Sequence, residues 1–214
     1  MVLLDAAAVT AQVDARHWRV VLGRLEATFS TGTFARGLVL MDRIGELAED
    51  AGHHPDVTLR YPSVRVALVS HDVGGLTDRD VDIAAQISAV VDELGIDADP
   101  GTLQTTEIAI DALDIPAVRP FWRAVLGYVD EGEDLVDPAG VGPRVWFQQM
   151  DVPRPQRNRI HLDVNVSHTD AQARVAAAVA AGGHLVSDTR APAFWVLADP
   201  EGNEACVCTW QNRD

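Results

Sequence analysis

Glu49-Asp50-Ala51-Gly52-His53-His54-Pro55 closes one helical pattern and opens a pair of strand patterns. Upstream of it, Phe34, Leu38, Met41, Ile44 and Ala48 recur at helical spacing, while Arg43, Glu46, Glu49 and Asp50 lie elsewhere on the wheel. That predicts a long helix packed on a sheet, ending near Gly52. Downstream, Val57 to Tyr61 reads as a strand, and Pro62-Ser63 as a turn or bulge. Val64 to Ser70 is a second, more apolar strand that delivers His71. After Gly74-Gly75, Asp78 to Leu94 predicts a helix with Ile83, Ile87, Val90, Val91 and Leu94 on its apolar side, stopped by Gly95. Before the long helix, Leu3 to Val13 predicts a short helix with Asp5 early in it. His17 to Val21 and Leu25 to Ser30 then predict a hairpin turning at Leu22-Gly23-Arg24. The order is helix, two strands, helix, two strands, helix. It predicts an α+β domain, a four-stranded antiparallel sheet with three helices on one face.

This arrangement brings two chain ends together. One is the exit of the long helix, with His53 and His54. The other is the end of the last strand, with His71, followed by the helix start that holds Asp80. Imidazole exchanges protons near neutrality, and several imidazoles with a carboxylate form a general acid/base set. Structural readings of the same residues stand beside this one. His-His-Pro suits a helix end. Thr77-Asp78-Arg79-Asp80 suits a helix start, with Thr77 as N-cap and Asp80 near the capping-box position.

The chain has 214 residues, enough for one large domain or two small ones. Hydrophobic content is 47% and charged content 23%, which excludes a disordered chain. Lys plus Arg is 17 against 32 Asp plus Glu, a net charge of −15. Such a surface repels nucleic-acid backbones and anionic lipid, so neither nucleic acid nor membrane is expected as a partner. Cys206 and Cys208 are too close for a good disulfide and read as small apolar side chains. No disulfide framework follows, in keeping with a reducing compartment. Met1 to Ala8 lacks the pattern of a signal peptide, and no apolar run approaches a membrane span. A cytoplasmic location is therefore expected.

The full spacing Glu49-x3-His53-His54-Pro55-x5-Tyr61-x9-His71-x8-Asp80 resembles the signature of the pterin-4a-carbinolamine dehydratases. The likeness runs from about Trp18 to about Leu94. It implies the same sheet-and-helix fold and the activity of a 4a-hydroxytetrahydrobiopterin dehydratase, a hydro-lyase giving quinonoid dihydropterin. It also implies a pterin site lined by His53, His54 and His71, with Asp80 orienting or charging one of them. His53 and His71 are the expected proton-transfer pair, and His54 assists at the hydroxyl or binds the pterin. The pterin is substrate, and no cofactor is required.

Asp97-Ala98-Asp99-Pro100-Gly101 is turn-rich, and we place the domain boundary there, giving domains over 1–98 and 103–212. The second half looks like an internal duplication. Thr106 to Asp111 predicts a strand, followed by a helix holding Phe121 to Tyr128 and strands through Gln149. Arg159 to Val164 predicts the matching strand, followed by a helix from about Thr169 to Ala181 and strands through Cys208. Two βαβββ units, with Phe121-Trp122-x3-Leu126-Gly127 and Asp199-Pro200-Glu201-Gly202-Asn203, resemble the glyoxalase-like, vicinal-oxygen-chelate superfamily. By that resemblance Glu107 and His161 stand at the opening metal-ligand positions, with Gln148 a candidate third ligand. Cys206 occupies the closing position where a glutamate is expected, and Glu204, two residues earlier, could substitute. The departure sets a divalent metal against a metal-free cup.

The leading expectation is a dehydratase fused to a glyoxalase-like domain and assembled as a homodimer. The alternative is a glyoxalase-like small-molecule enzyme or binding protein, with the first domain as a dimerisation or partner-binding platform.

Overall fold

A computed structural model of the chain describes residues 2–153, 162–166, 169–209 and 211–212. It divides into two compact units, Met1–Thr105 and Thr106–Asp214.

In the first unit, α1 (Ala6–Gln12) is followed by the hairpin β1 (Trp18–Val21) and β2 (Arg24–Ser30). Asp5 is the N-cap of α1, not a residue of its first turn: its carboxylate accepts from the Ala8 N–H at 2.7 Å. Then come α2 (Phe34–Ala51), β3 (Asp56–Arg60), β4 (Ser63–Leu68) and α3 (Asp78–Glu93). The sheet runs β1-β2-β4-β3, all antiparallel, with Leu25 opposite Leu68 and Asp56 opposite Ala67. One contiguous core joins Leu25, Ala27 and Phe29 of β2 to Val64, Val66 and Leu68 of β4. It also takes Val9, Ile44 and Ile87 from the three helices. The helices therefore share one face of the sheet, as expected.

Two expectations are corrected. The sheet has a fifth strand, β5 (Asp97–Ala98), which pairs with β2 at Phe29 and Ser30. Asp97 and Ala98, at the head of the turn-rich stretch, thus extend the first unit's sheet. The buried stripe of α2 is Gly37, Leu40, Ile44 and Ala48, whereas Phe34 and Leu38 are half exposed. Gly37 explains the rotation. A Cβ there would stand 2.4 Å from Leu59 Cδ1, so the helix meets the sheet closest along the line through its glycine.

The second unit holds two copies of one motif. The first is β6 (Glu107–Ala112), α4 (Ile115–Leu126), β7 (Val129–Glu131), β8 (Asp134–Val136) and β9 (Arg144–Gln149). The second is β10 (Leu162–Asn165), α5 (Ala171–Ala180), β11 (His184–Ser187), β12 (Phe194–Ala198) and β13 (Glu204–Cys208). The sheets are ordered β6-β9-β8-β7 and β10-β13-β12-β11, and in each the first pair is parallel. Both helices pack into one core with Phe121, Trp122, Leu135, Val145, Leu197 and Val207.

The loops before β9 and β13 share a device. Asp137 of Asp137-Pro138-Ala139-Gly140 accepts from the N–H groups of Ala139, Val141 and Gly142 at 2.9, 3.1 and 2.7 Å. Asp199 of Asp199-Pro200-Glu201-Gly202 accepts from those of Glu201 and Asn203 at 2.9 and 2.8 Å. The second copy adds Glu201, whose carboxylate takes the Leu113 and Asp114 N–H groups leading into α4 of the first copy. Ala139 stands at the matching place in the first copy and has no such group.

Candidate active site

The end of α2 sets the first histidine. Gly52 adopts a left-handed conformation (φ 58°), and the N–H groups of Gly52 and His53 return to the last turn, the latter to Ala48 O at 3.1 Å. That reversal turns His53 inward. Its side chain is 7% exposed, and Nε2 lies 2.8 Å from Asp80 Oδ1.

Asp80 is fully buried and serves two ends. Oδ2 accepts from the Thr77 N–H at 2.8 Å, completing the capping box of α3, and from Ser70 Oγ at 2.8 Å. Oδ1 holds His53. The structural and functional readings of Asp80 are therefore compatible: one oxygen starts the helix and the other anchors an imidazole. Sequence reasoning missed Ser70 and its hydroxyl contact with Thr77 at 2.8 Å. The available signal was Ser70's place beside His71, at the end of the strand.

The other expected residues lie on the outside. His54 is exposed, and its Nε2 meets Glu49 Oε1 at 3.1 Å, across the turn that ends α2. His71 is exposed and makes no hydrogen bond or ion pair with a described residue. It directly follows Ser70, which shares the Asp80 carboxylate with His53. Beside them Asp72 pairs with Arg79, and that guanidinium holds the exposed Asp72 carboxyl below the usual range. The direct contact in the set is thus His53 with Asp80, while His54 and His71 are exposed.

The metal-ligand expectations in the second unit fare differently. Glu107 faces Arg144 across the β6–β9 pair, while Gln148 faces Asp111. Four residues of register separate them, about 13 Å along the strands, so they do not share an ion. Cys206 and Cys208 are buried and not joined in a disulfide. Burial first, and the charge of Asp163 second, push the Cys206 thiol up to about 11. Glu204 is buried on the same strand. His161 lies outside the described residues. Among those described, no group of three or more His, Cys, Asp or Glu side chains is placed to hold a metal. Nor is any helix among them long and apolar enough to cross a membrane.

An antiparallel sheet backed by three helices, with a carboxylate-anchored histidine where α2, β4 and α3 meet, defines the first unit as an α+β domain with a candidate acid–base site. The pterin 4 alpha carbinolamine dehydratase family model matches residues 2–90, and the glyoxalase-like domain model matches residues 107–208. A relative from Acidobacterium capsulatum, provisionally named a pterin-4-alpha-carbinolamine dehydratase, is 43% identical over 74 residues, 35% of this chain and 80% of that protein. One of the same provisional name from Nocardia farcinica is 40% identical over 85 residues, 40% of this chain and 90% of that protein. Among solved structures, a transcriptional coactivator/pterin dehydratase from Brucella melitensis is 23% identical, with a TM-score of 0.39. The match covers 42% of this chain and 98% of that one. The chain belongs to the pterin-4a-carbinolamine dehydratase family in its first half and carries a glyoxalase-like domain in its second.

Proposed function

We propose that the first unit eliminates water from 4a-hydroxytetrahydropterin to give quinonoid dihydropterin. The observation that carries the reading is the buried His53–Asp80 pair, at the positions the family spacing marks. The step needs one base and one acid. The base takes the N5 proton, the freed electron pair forms the N5=C4a double bond, and the C4a–O bond breaks. The leaving oxygen takes a proton from the acid and departs as water. Each positioned group contributes typically about 10² to 10⁴-fold.

His53 is suited to one role because its ring is held by Asp80 while Nδ1 has no partner among the described residues and is not sealed off. In this reading the exposed His71 and His54 supply the second group and contacts to the pterin ring. The assay is dehydration of 4a-hydroxytetrahydropterin by the full chain. His53→Gln and His71→Ala should each lower turnover at least about tenfold with the circular dichroism spectrum retained. Unchanged turnover in both would overturn the proposal.

Self-association belongs to the same reading. Phe34, Leu38 and Val39 leave half-exposed apolar side chains along α2, a surface on which a second copy can seat. Sedimentation velocity should show a dimer or larger for the unaltered chain and a smaller species for Leu38→Glu. A monomer in both cases rejects it.

A further inference from the structure

We infer that Ser70 and Thr77 are positioning residues that fix which nitrogen of His53 carries its proton, so that Nδ1 is the atom that exchanges a proton with substrate. The catalytic part of this assignment rests on the dehydratase reading; the proton placement does not.

The argument is an accounting of hydrogens. A carboxylate oxygen only accepts. The Ser70 hydroxyl, 2.8 Å from Asp80 Oδ2, must therefore point its hydrogen at that oxygen. Ser70 Oγ is also 2.8 Å from Thr77 Oγ1. Its own hydrogen is already committed, so Ser70 accepts there and Thr77 donates. Thr77 Oγ1 in turn accepts from the Arg79 N–H at 3.3 Å. The longer approach of Thr77 Oγ1 to Asp80 Oδ2, 3.4 Å, would send the same hydrogen the same way. Every hydrogen on this path runs toward Asp80: from Arg79 N–H to Thr77, from Thr77 to Ser70, from Ser70 to the carboxylate. The Thr77 N–H adds another at 2.8 Å.

Oδ1 then faces His53 Nε2 at 2.8 Å as a second acceptor. The ring must donate from Nε2, and the neutral imidazole is left with its lone pair on Nδ1. Ser70, Thr77 and Asp80 are 1%, 0% and 0% exposed, so water does not enter to reverse the order. The capping box and the hydroxyl pair thus do more than begin a helix. They hold the Asp80 carboxylate so that Oδ1 stays against Nε2, and so aim the basic nitrogen of His53 away from it.

The test uses the full chain with its histidines labelled in 15N, read by two-bond 1H–15N correlation at a pH where the ring is neutral. His53→Gln identifies the signals. The expected pattern is Nε2–H for His53 in the unaltered protein. Ser70→Ala should mix the two tautomers, lower kcat on the order of tenfold with KM little changed, and alter the pH profile of kcat. Thr77→Ser keeps its hydroxyl and should leave both readouts at the unaltered values. An Nδ1–H pattern in the unaltered chain overturns the inference and needs no variant to fold. An unchanged tautomer and pH profile in folded Ser70→Ala overturns the positioning role. An unaltered chain that shows Nε2–H but no dehydration counts against the dehydratase reading and leaves the proton placement supported.

Discussion

Trp122 Nε1 donates to Asp199 Oδ2 across 3.0 Å, and both side chains are buried. Trp122 comes from the first copy of the repeated motif and Asp199 from the second, so this bond ties the copies together. Asp199 also accepts two backbone N–H groups and the Asn203 side-chain amide. Asp199→Ala strands several of these donors and should cost the second unit about 3 kcal/mol or more. Trp122→Phe strands none, because Oδ2 keeps Asn203, and should cost about 1 to 2 kcal/mol. Urea titration followed by tryptophan fluorescence checks both; equal costs would refute the ranking.

The two glycines of α2 should respond in opposite directions. Gly37→Ala drives a Cβ to 2.4 Å from Leu59 Cδ1 and should destabilise by about 1 to 3 kcal/mol. Gly45→Ala meets nothing within 4 Å and should stabilise by roughly 0.5 to 1 kcal/mol through helix propensity. Thermal unfolding of the two variants decides it.

Asp80→Asn separates shape from charge. The amide oxygen can still accept from Thr77 and Ser70, but the amide nitrogen then faces His53 and donates to Nε2. The ring is pushed to the opposite tautomer, with Nδ1 protonated. Turnover should fall by at least about 10²-fold while the fold persists, in a dehydration assay beside circular dichroism. Near-normal turnover would remove Asp80 from the site.

Burial holds the Cys206 thiol at about 11, so its thiolate is scarce near neutrality. Iodoacetamide at pH 8 should label Cys206 far more slowly in the folded chain than in urea, as read by peptide mass spectrometry. Rapid labelling without denaturant contradicts the buried strand position.

Much of the fold was legible because its signals are periodic or conformational. The apolar residues of Val64 to Leu68, the glycine at position 52 and the cap at Thr77 each carry a local physical cause, and each lies where expected. The face of α2 was misread because Phe34 and Leu38 also fall at helical spacing, and hydrophobicity outweighed the small Gly37 that the sheet requires. Strand β5 was invisible because two residues, Asp97 and Ala98, show no alternation, and their pairing with β2 is long-range. At the site, the spacing pointed to His53 and Asp80. The hydroxyls of Ser70 and Thr77 were hidden, because serine and threonine near a helix start look the same whether or not they face a carboxylate. The Asp-Pro-x-Gly loop at Asp137 repeats the one at Asp199 and marks the duplication in the sequence itself.

Glu201 reaches out of its own repeat to seat the beginning of the other repeat's helix, and Trp122 returns the favour by meeting Asp199. A chain carrying a single repeat would leave an amide pair and an indole in want of partners. Two such chains could supply these to each other across a twofold axis. Joining them in one polypeptide makes that mutual dependence permanent, and the carboxylate is then needed in one copy alone, with Ala139 at the matching place of the other.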